Sequence, residues 1–200
     1  MTSVSFENSD FIGFDKPAGL PTTLGDQADC LLTRVRAEHP ELFSFAGFRE
    51  DEGGLLYRLD NETSGLVLFA KNREAFDRFQ NDPELEKVYA ARVENFDSMP
   101  NSGVIDLPIA HKSSQRMVAI VLGKKLHFRG EAQPALTRFE KDHDGWVRCF
   151  IRRGLRHQIR VHLAAIGHPI LGDSIYNEHA SGNLQLKCVG VKSNWLNILP

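Results

Sequence analysis

Apolar residues in this chain come mostly in short runs bounded by turn residues, a pattern that favours strands over long helices. Phe11-Ile12-Gly13-Phe14 reads as a first strand. It is closed by Lys16-Pro17-Ala18-Gly19, where Pro at the second turn position and Gly at the fourth suit a type I turn. Leu66 to Ala70 reads as a buried strand, being short and preceded by turn residues. Val88 to Val93 is another, with Tyr89, Ala91 and Val93 on one side. Further strands are expected at 104–109, 117–121, 135–139 and 146–152. In the last of these, Val147, Cys149 and Ile151 alternate with Arg148 and Arg152, so a half-buried strand turns arginines outward.

Helices are few. One is expected over 31–38 with Asp29 as its N-cap, and a second over 73–79, capped by Asn72, with Phe76 and Phe79 on one face. A third spans 157–166, where Ile159, Leu163 and Ile166 fall at apolar spacing and Gly167 and Pro169 supply the stop. The sum is an α+β fold with a mixed, mainly antiparallel sheet and flanking helices.

Composition narrows the class. With 42% hydrophobic and 25% charged residues the chain matches ordinary globular usage, which argues against disorder and collagen-like sequence. No repeat or Pro/Ser-rich linker divides it, so residues 1–200 are expected to form a single domain. The longest apolar run, Leu66-Val67-Leu68-Phe69-Ala70, is far too short to span a bilayer, and the first residues lack a signal-peptide pattern. Cys30, Cys149 and Cys188 are widely spaced and suggest neither a disulfide framework nor a metal site, so a reducing cytoplasm is the expected home. Net charge is −2. Its distribution says more than its sum: from Trp146 to Leu163 there are five arginines and no acid, whereas Glu50-Asp51-Glu52 concentrates the opposite sign.

Two stretches carry candidate chemistry. Tyr57-Arg58-Leu59-Asp60-Asn61-Glu62-Thr63-Ser64-Gly65 joins an acid, a cation and small hydrogen-bonding residues in a loop that a rigid strand anchors. Taken by itself, it reads first as an ordinary polar turn, with Asp60 or Asn61 making a local side-chain hydrogen bond. Arg156-His157-Gln158-Ile159-Arg160, if helical, puts Arg156 and Arg160 one turn apart on one face, and planar guanidinium forks suit phosphates. A solvated basic face is the alternative.

Lys16-Pro17-Ala18-Gly19-Leu20, Arg58-Leu59-Asp60 with Thr63-Ser64-Gly65, Lys87-Val88-Tyr89, His157-Gln158-Ile159-Arg160, and Gly167-His168-Pro169-Ile170 with Gly172-Asp173 and Tyr176 together resemble the signature blocks of RluA-type pseudouridine synthases. They stand in that family's order across Phe11 to Tyr176, and blocks in register weigh far more than one alone. The resemblance implies the pseudouridine synthase catalytic fold, with no cofactor and no metal. It implies an isomerase that converts a uridine of ribosomal or transfer RNA to pseudouridine: C1′–N1 breaks, the uracil turns, and C1′ rejoins the base at C5. Base flipping is a physical requirement of that reaction.

The same resemblance makes Asp60 the catalytic carboxylate, Tyr89 the ring that packs against the target base, and Arg160 the guanidinium paired with Asp60. Arg58 becomes the arginine that fills the space left by the flipped nucleotide. Tyr57, Arg153, Arg156, His157 and Gln158 complete the expected RNA contacts. The chain departs from the family pattern at Tyr57, where His is usual, and at Leu155, where Arg is usual. With no room for a preceding S4-type RNA-binding domain, this domain is expected to recognise its RNA unaided or with a partner; the chain is expected to be a monomer. A catalytically inactive RNA-binding domain and a hydrolase acting on a small nucleoside are the competing readings.

Overall fold

The computed structural model describes residues 2–24, 29–114, 116–121, 123 and 127–199. The chain divides into two compact units, Met1–Leu85 with Lys187–Pro200, and Glu86–Leu186.

In the first unit β1 (Val4–Glu7) pairs antiparallel with β2 (Phe11–Lys16). Helix α1 (Leu31–Glu38) follows, then β3 (Ser64–Ala70) and α2 (Arg73–Asn81). Strand β3 pairs antiparallel with β2 from Phe11↔Ala70 to Lys16↔Gly65. It is buried from Gly65 onward, as a continuous apolar run requires. Phe14 and Phe69 meet edge to face beneath it, with ring centroids 5.6 Å apart.

The second unit holds β4 (Glu86–Arg92), β5 (Ser102–Asp106), β6 (Ile109–His111), β7 (Met117–Ala119), β8 (Arg129–Gln133), β9 (Leu136–Lys141), β10 (Trp146–Ile151) and α3 (Gln158–Ala165). Strands β4, β10, β9 and β5 neighbour one another in that order, all antiparallel, while β7, β6 and β8 form a small separate sheet. Helix α3 packs beside the small sheet, where Val161 joins Ile109, Met117, Ala119, Ala135 and Tyr176 in one buried cluster. The chain then returns to the first unit through β11 (Leu186–Lys192) and β12 (Asn197–Ile198). Strand β11 runs parallel to β3, matching Lys187 with Ser64 and Cys188 with Gly65. That approach explains Gly65: its φ is +111°, and an added Cβ would lie 2.1 Å from the Cys188 carbonyl oxygen. The fold is α+β with a mixed, mainly antiparallel sheet, as expected. Among the described residues no helix is long and apolar enough to cross a membrane.

Several local expectations change. Cys30, not Asp29, caps α1: its Sγ accepts the Thr33 N–H at 3.4 Å, and Asp29 instead pairs with Arg34. The strand expected at 104–109 is two strands in different sheets, broken around Pro108, which has no N–H for a ladder. Arg156 and Arg160 do not share a helical face. His157 has a left-handed φ of +54° and starts the helix after Arg156, which stays exposed while Arg160 is buried. The helix ends as expected: the Gly167 N–H reaches the Ala164 carbonyl at 3.1 Å and the His168 N–H reaches that of Leu163 at 2.9 Å. This double closure needs the left-handed φ of Gly167.

Candidate active site

Asp60 lies half-buried in the loop that enters β3, and both of its neighbours are pinned through their own backbone groups. The Thr22 hydroxyl donates to the Leu59 carbonyl at 2.8 Å and accepts the Leu59 N–H at 3.0 Å. On the other side Lys16 is fully buried. Its ammonium donates to the carbonyls of Pro17, Leu20 and Asn61 at 3.1, 2.7 and 3.1 Å. Gly19 adds its N–H to the same Asn61 oxygen at 2.7 Å, and Thr63 closes the turn by donating to the Asp60 carbonyl at 3.0 Å. The block from Lys16 to Leu20 is therefore the clamp that fixes the aspartate loop. Burial pulls the Lys16 pKa down to about 8, and the negative charge of Asp60 opposes that shift. At neutral pH the lysine is charged. The sequence reading gave Lys16 no role. The available signal was a lone lysine ending an apolar strand directly before Pro17.

Two other residues of this loop have partners of their own. Tyr57, expected among the RNA contacts, is buried: its hydroxyl donates to the Leu66 carbonyl at 3.0 Å and its ring stacks on Phe79. A phenol reaches that strand carbonyl and fills the core. Arg58 is 44% exposed and bonds the carboxylate of Glu52, which is itself 2% exposed.

In the second unit Tyr89 is buried on β4, opposite Cys149 of β10. Arg160 is buried and fork-bonded to Asp173, Nε to Oδ2 at 2.8 Å and Nη2 to Oδ1 at 2.7 Å. Asp173 Oδ1 also accepts the N–H groups of Ile175 and Tyr176. Asp173 stood in a signature block, but no role was assigned to it. Its contribution is to hold the guanidinium of Arg160 in one plane and one rotamer.

His157 and Gln158 were also expected at the RNA, and both are buried with partners inside the protein. Gln158 donates to the Leu136 carbonyl and to Thr137 Oγ1, and accepts the Leu155 N–H. Thr137 Oγ1 lies 2.9 Å from His162 Nδ1, and His162 Nε2 lies 2.9 Å from the Leu107 carbonyl. One run of directed bonds thus fastens α3 to β9. His157 Nδ1 lies 3.0 Å from the Tyr176 hydroxyl, which accepts the Met117 N–H at 2.8 Å. Leu155, where the family has Arg, packs onto the cluster around Val161 and Tyr176.

Burial, followed by the charges of Arg160 and Arg156, lowers the His157 pKa to about 4, against the opposing pull of Asp173. The folded state therefore holds His157 neutral, whereas the unfolded chain protonates it near the ordinary value of 6.5. Between those values the unfolded state binds more protons, so stability falls as pH drops through the window, by about 3 kcal/mol in full. Denaturation midpoints at pH 7, 5.5 and 4 check this. His157→Asn, which tolerates the left-handed φ, is expected to lose less stability over the range than the parent.

The cationic surface is narrower than the run of letters suggests. Arg148 pairs with Asp142 at 3.0 Å, and Arg160 is committed to Asp173. Arg152, Arg153 and Arg156 remain exposed, and Arg156 donates to the Ser114 carbonyl.

Comparison with known proteins identifies the family. Residues 10–165 match the family model described as RNA pseudouridylate synthase. The dual-specificity RNA pseudouridine synthase RluA of Vibrio vulnificus is 31% identical over 99% of this chain and 82% of its own length. An RNA pseudouridine synthase of Aquifex aeolicus is 33% identical over 90% of this chain, which spans only 57% of that protein. A solved structure, human RNA pseudouridylate synthase domain containing 1, shares the fold with a TM-score of 0.71, at 21% identity over 96% of this chain and 78% of that one. The chain belongs to the RNA pseudouridylate synthases, an isomerase family. Within that family it is of the RluA type.

Proposed function

We propose that the protein isomerises a specific uridine of a structured ribosomal or transfer RNA to pseudouridine. In this reading residues 1–200 act as one catalytic domain and a monomer. The observation that carries the proposal is the immobilised Asp60 loop, in which the Thr22 hydroxyl and Lys16 ammonium hold the residues on either side of the carboxylate. A carboxylate acting at a carbon centre must stay ionised and aimed, and a loop without freedom serves the aim.

Asp60 is assigned as the carboxylate that acts on the nucleoside, Tyr89 as the ring against the base, and Arg160 as the guanidinium that serves Asp60. Asp173 accepts from two nitrogens of a group that carries five N–H donors. Arg58, Arg153 and Arg156, all exposed, are assigned to the RNA. Their share in unstacking and holding the target nucleotide would offset the cost of flipping it. Tyr57 is buried within the first unit, and His157 and Gln158 within the second, so the RNA contacts first assigned to them pass to the arginines. The reaction changes neither oxidation level nor atom count, so the reading calls for no cofactor.

The test is a map of pseudouridines in ribosomal and transfer RNA from cells with and without the gene, repeated on unmodified transcripts with purified protein. A site that disappears in cells and forms in vitro is the expected result. Free uracil as product, or no modified uridine in either arm, would overturn the proposal.

Salt dependence tests the arginines. Removing both Arg153 and Arg156 is expected to flatten the slope of log affinity against log salt by about 1.5, since each phosphate contact contributes roughly 0.7–0.9. An unchanged slope in equilibrium binding would take those two residues out of the interface.

A further inference from the structure

Glu52 is the least explained charge in the first unit. It is 2% exposed, yet it sits in a surface turn closed by its own N–H on the Arg49 carbonyl. That turn cannot drift, because Gly54 bonds the Leu42 carbonyl at 2.8 Å and receives the Ala70 N–H at 2.7 Å. Two guanidinium groups converge on a single oxygen of its carboxylate. Arg58 Nη2 is bonded to Oε1, and Arg49 Nε waits 3.9 Å from the same atom. The other oxygen, Oε2, is buried and has no hydrogen-bond partner among the described residues. Arg36, the other arginine of this turn region, is engaged elsewhere, on the Asp51 carbonyl. Glu50 and Asp51 are exposed and face water.

A buried carboxylate with one strong partner creates a constraint. If Arg58 leaves for the RNA, Glu52 is stripped of the partner that compensates its burial. Glu52 cannot follow, because its turn is fixed. Arg49 can respond, since its side chain is 68% exposed and needs to close by only about 1 Å to make a full hydrogen bond.

We infer that Glu52 is a positioning residue, an exchange post that holds Arg58 while no RNA is bound and takes Arg49 in its place when Arg58 moves onto the RNA. This deepens the reading above and rests on it for the destination of Arg58. The exchange itself rests on the shared oxygen. It makes deployment of Arg58 reversible: the arm is retracted at rest, and its release leaves no bare buried charge. Arg49 thereby governs how readily Arg58 is released without itself having to touch the nucleotide.

The decisive measurement is the Nε–H signal of Arg49 by nuclear magnetic resonance in RNA-free protein. In Arg58→Ala, solvent exchange of that proton is expected to slow by about tenfold as Arg49 closes on Glu52. In Arg58→Ala with Glu52→Gln the slowing should disappear. An Arg49 signal that ignores the loss of Arg58 would overturn the exchange, whatever the protein does to RNA.

Kinetics supply the second arm. Arg49→Gln is expected to slow single-turnover pseudouridine formation about fivefold with Glu52 present, and to add nothing in the Glu52→Gln background. An equal effect in both backgrounds would make Arg49 a plain RNA contact and sink the proposal. If the parent protein forms no pseudouridine, or Arg58→Ala is silent, the functional reading fails, and the resonance measurement still decides the exchange.

Discussion

Asp60→Asn is expected to abolish pseudouridine formation, lowering the single-turnover rate by at least about a thousandfold while leaving RNA affinity within about threefold. The substitution keeps the shape of the side chain and removes its charge. Asp60 is half-buried, and its loop is held on either side through the backbone groups of Leu59 and Asn61, so the fold should survive. A second readout belongs to the same variant. The negative charge of Asp60 helps keep the buried Lys16 protonated, and without it the lysine should titrate below its present value of about 8. A proton-detected titration of the Lys16 ammonium reads this directly. Unchanged activity with the lysine shifted would mean that the carboxylate is in place but not used. That outcome would take the catalytic role from Asp60 and give it to another group; an RNA-binding domain that retains the fold without the chemistry would show no pseudouridine formation in the parent protein either.

How much of this was legible in the sequence depends on the range of the interaction involved. Helices α1 and α2, the Asn72 cap and the start of β10 follow from neighbours a few residues apart and lie where the local pattern puts them, although Cys30 rather than Asp29 caps α1. The aspartate loop was found by its position ahead of a buried strand. The means of its immobilisation was not, because Thr22 and Lys16 act on backbone groups some forty residues away. The same holds for α3. Its polar residues Gln158 and Arg160 looked like a surface that meets a ligand, but Leu136, Thr137 and Asp173 supply partners from other parts of the chain, and both are buried. Arg148 counted as a free cation until Asp142, across a tight turn, claimed it. Strand β11 went unread although Cys188 and Gly190 occupy one face, since nothing local shows that β3 will accept a parallel neighbour. In each case the residue type was visible and its partner was not.

The pair Arg160 and Asp173 gives the largest expected effect on stability, and the effect should be unequal between the two partners. Asp173→Asn removes the countercharge beside a guanidinium that is 2% exposed, and sets an amide against N–H donors that need acceptors. The expected loss is about 3 kcal/mol or more, a large share of the ordinary 5–15 kcal/mol of a folded domain. Arg160→Met should cost less. The carboxylate left behind keeps the N–H groups of Ile175 and Tyr176 at 3.0 and 3.1 Å, and the thioether chain fills the vacated volume. Urea denaturation of the two variants at neutral pH orders them. Activity should not follow that order, because Arg160→Met removes the group assigned to serve Asp60 and is expected to be as inactive as the less stable variant. If Arg160→Met is stable and active, the guanidinium is a scaffold and Asp60 must be served by another cation. If it is stable and inactive, the planar hold that Asp173 exerts on Arg160 exists for the reaction rather than for the fold.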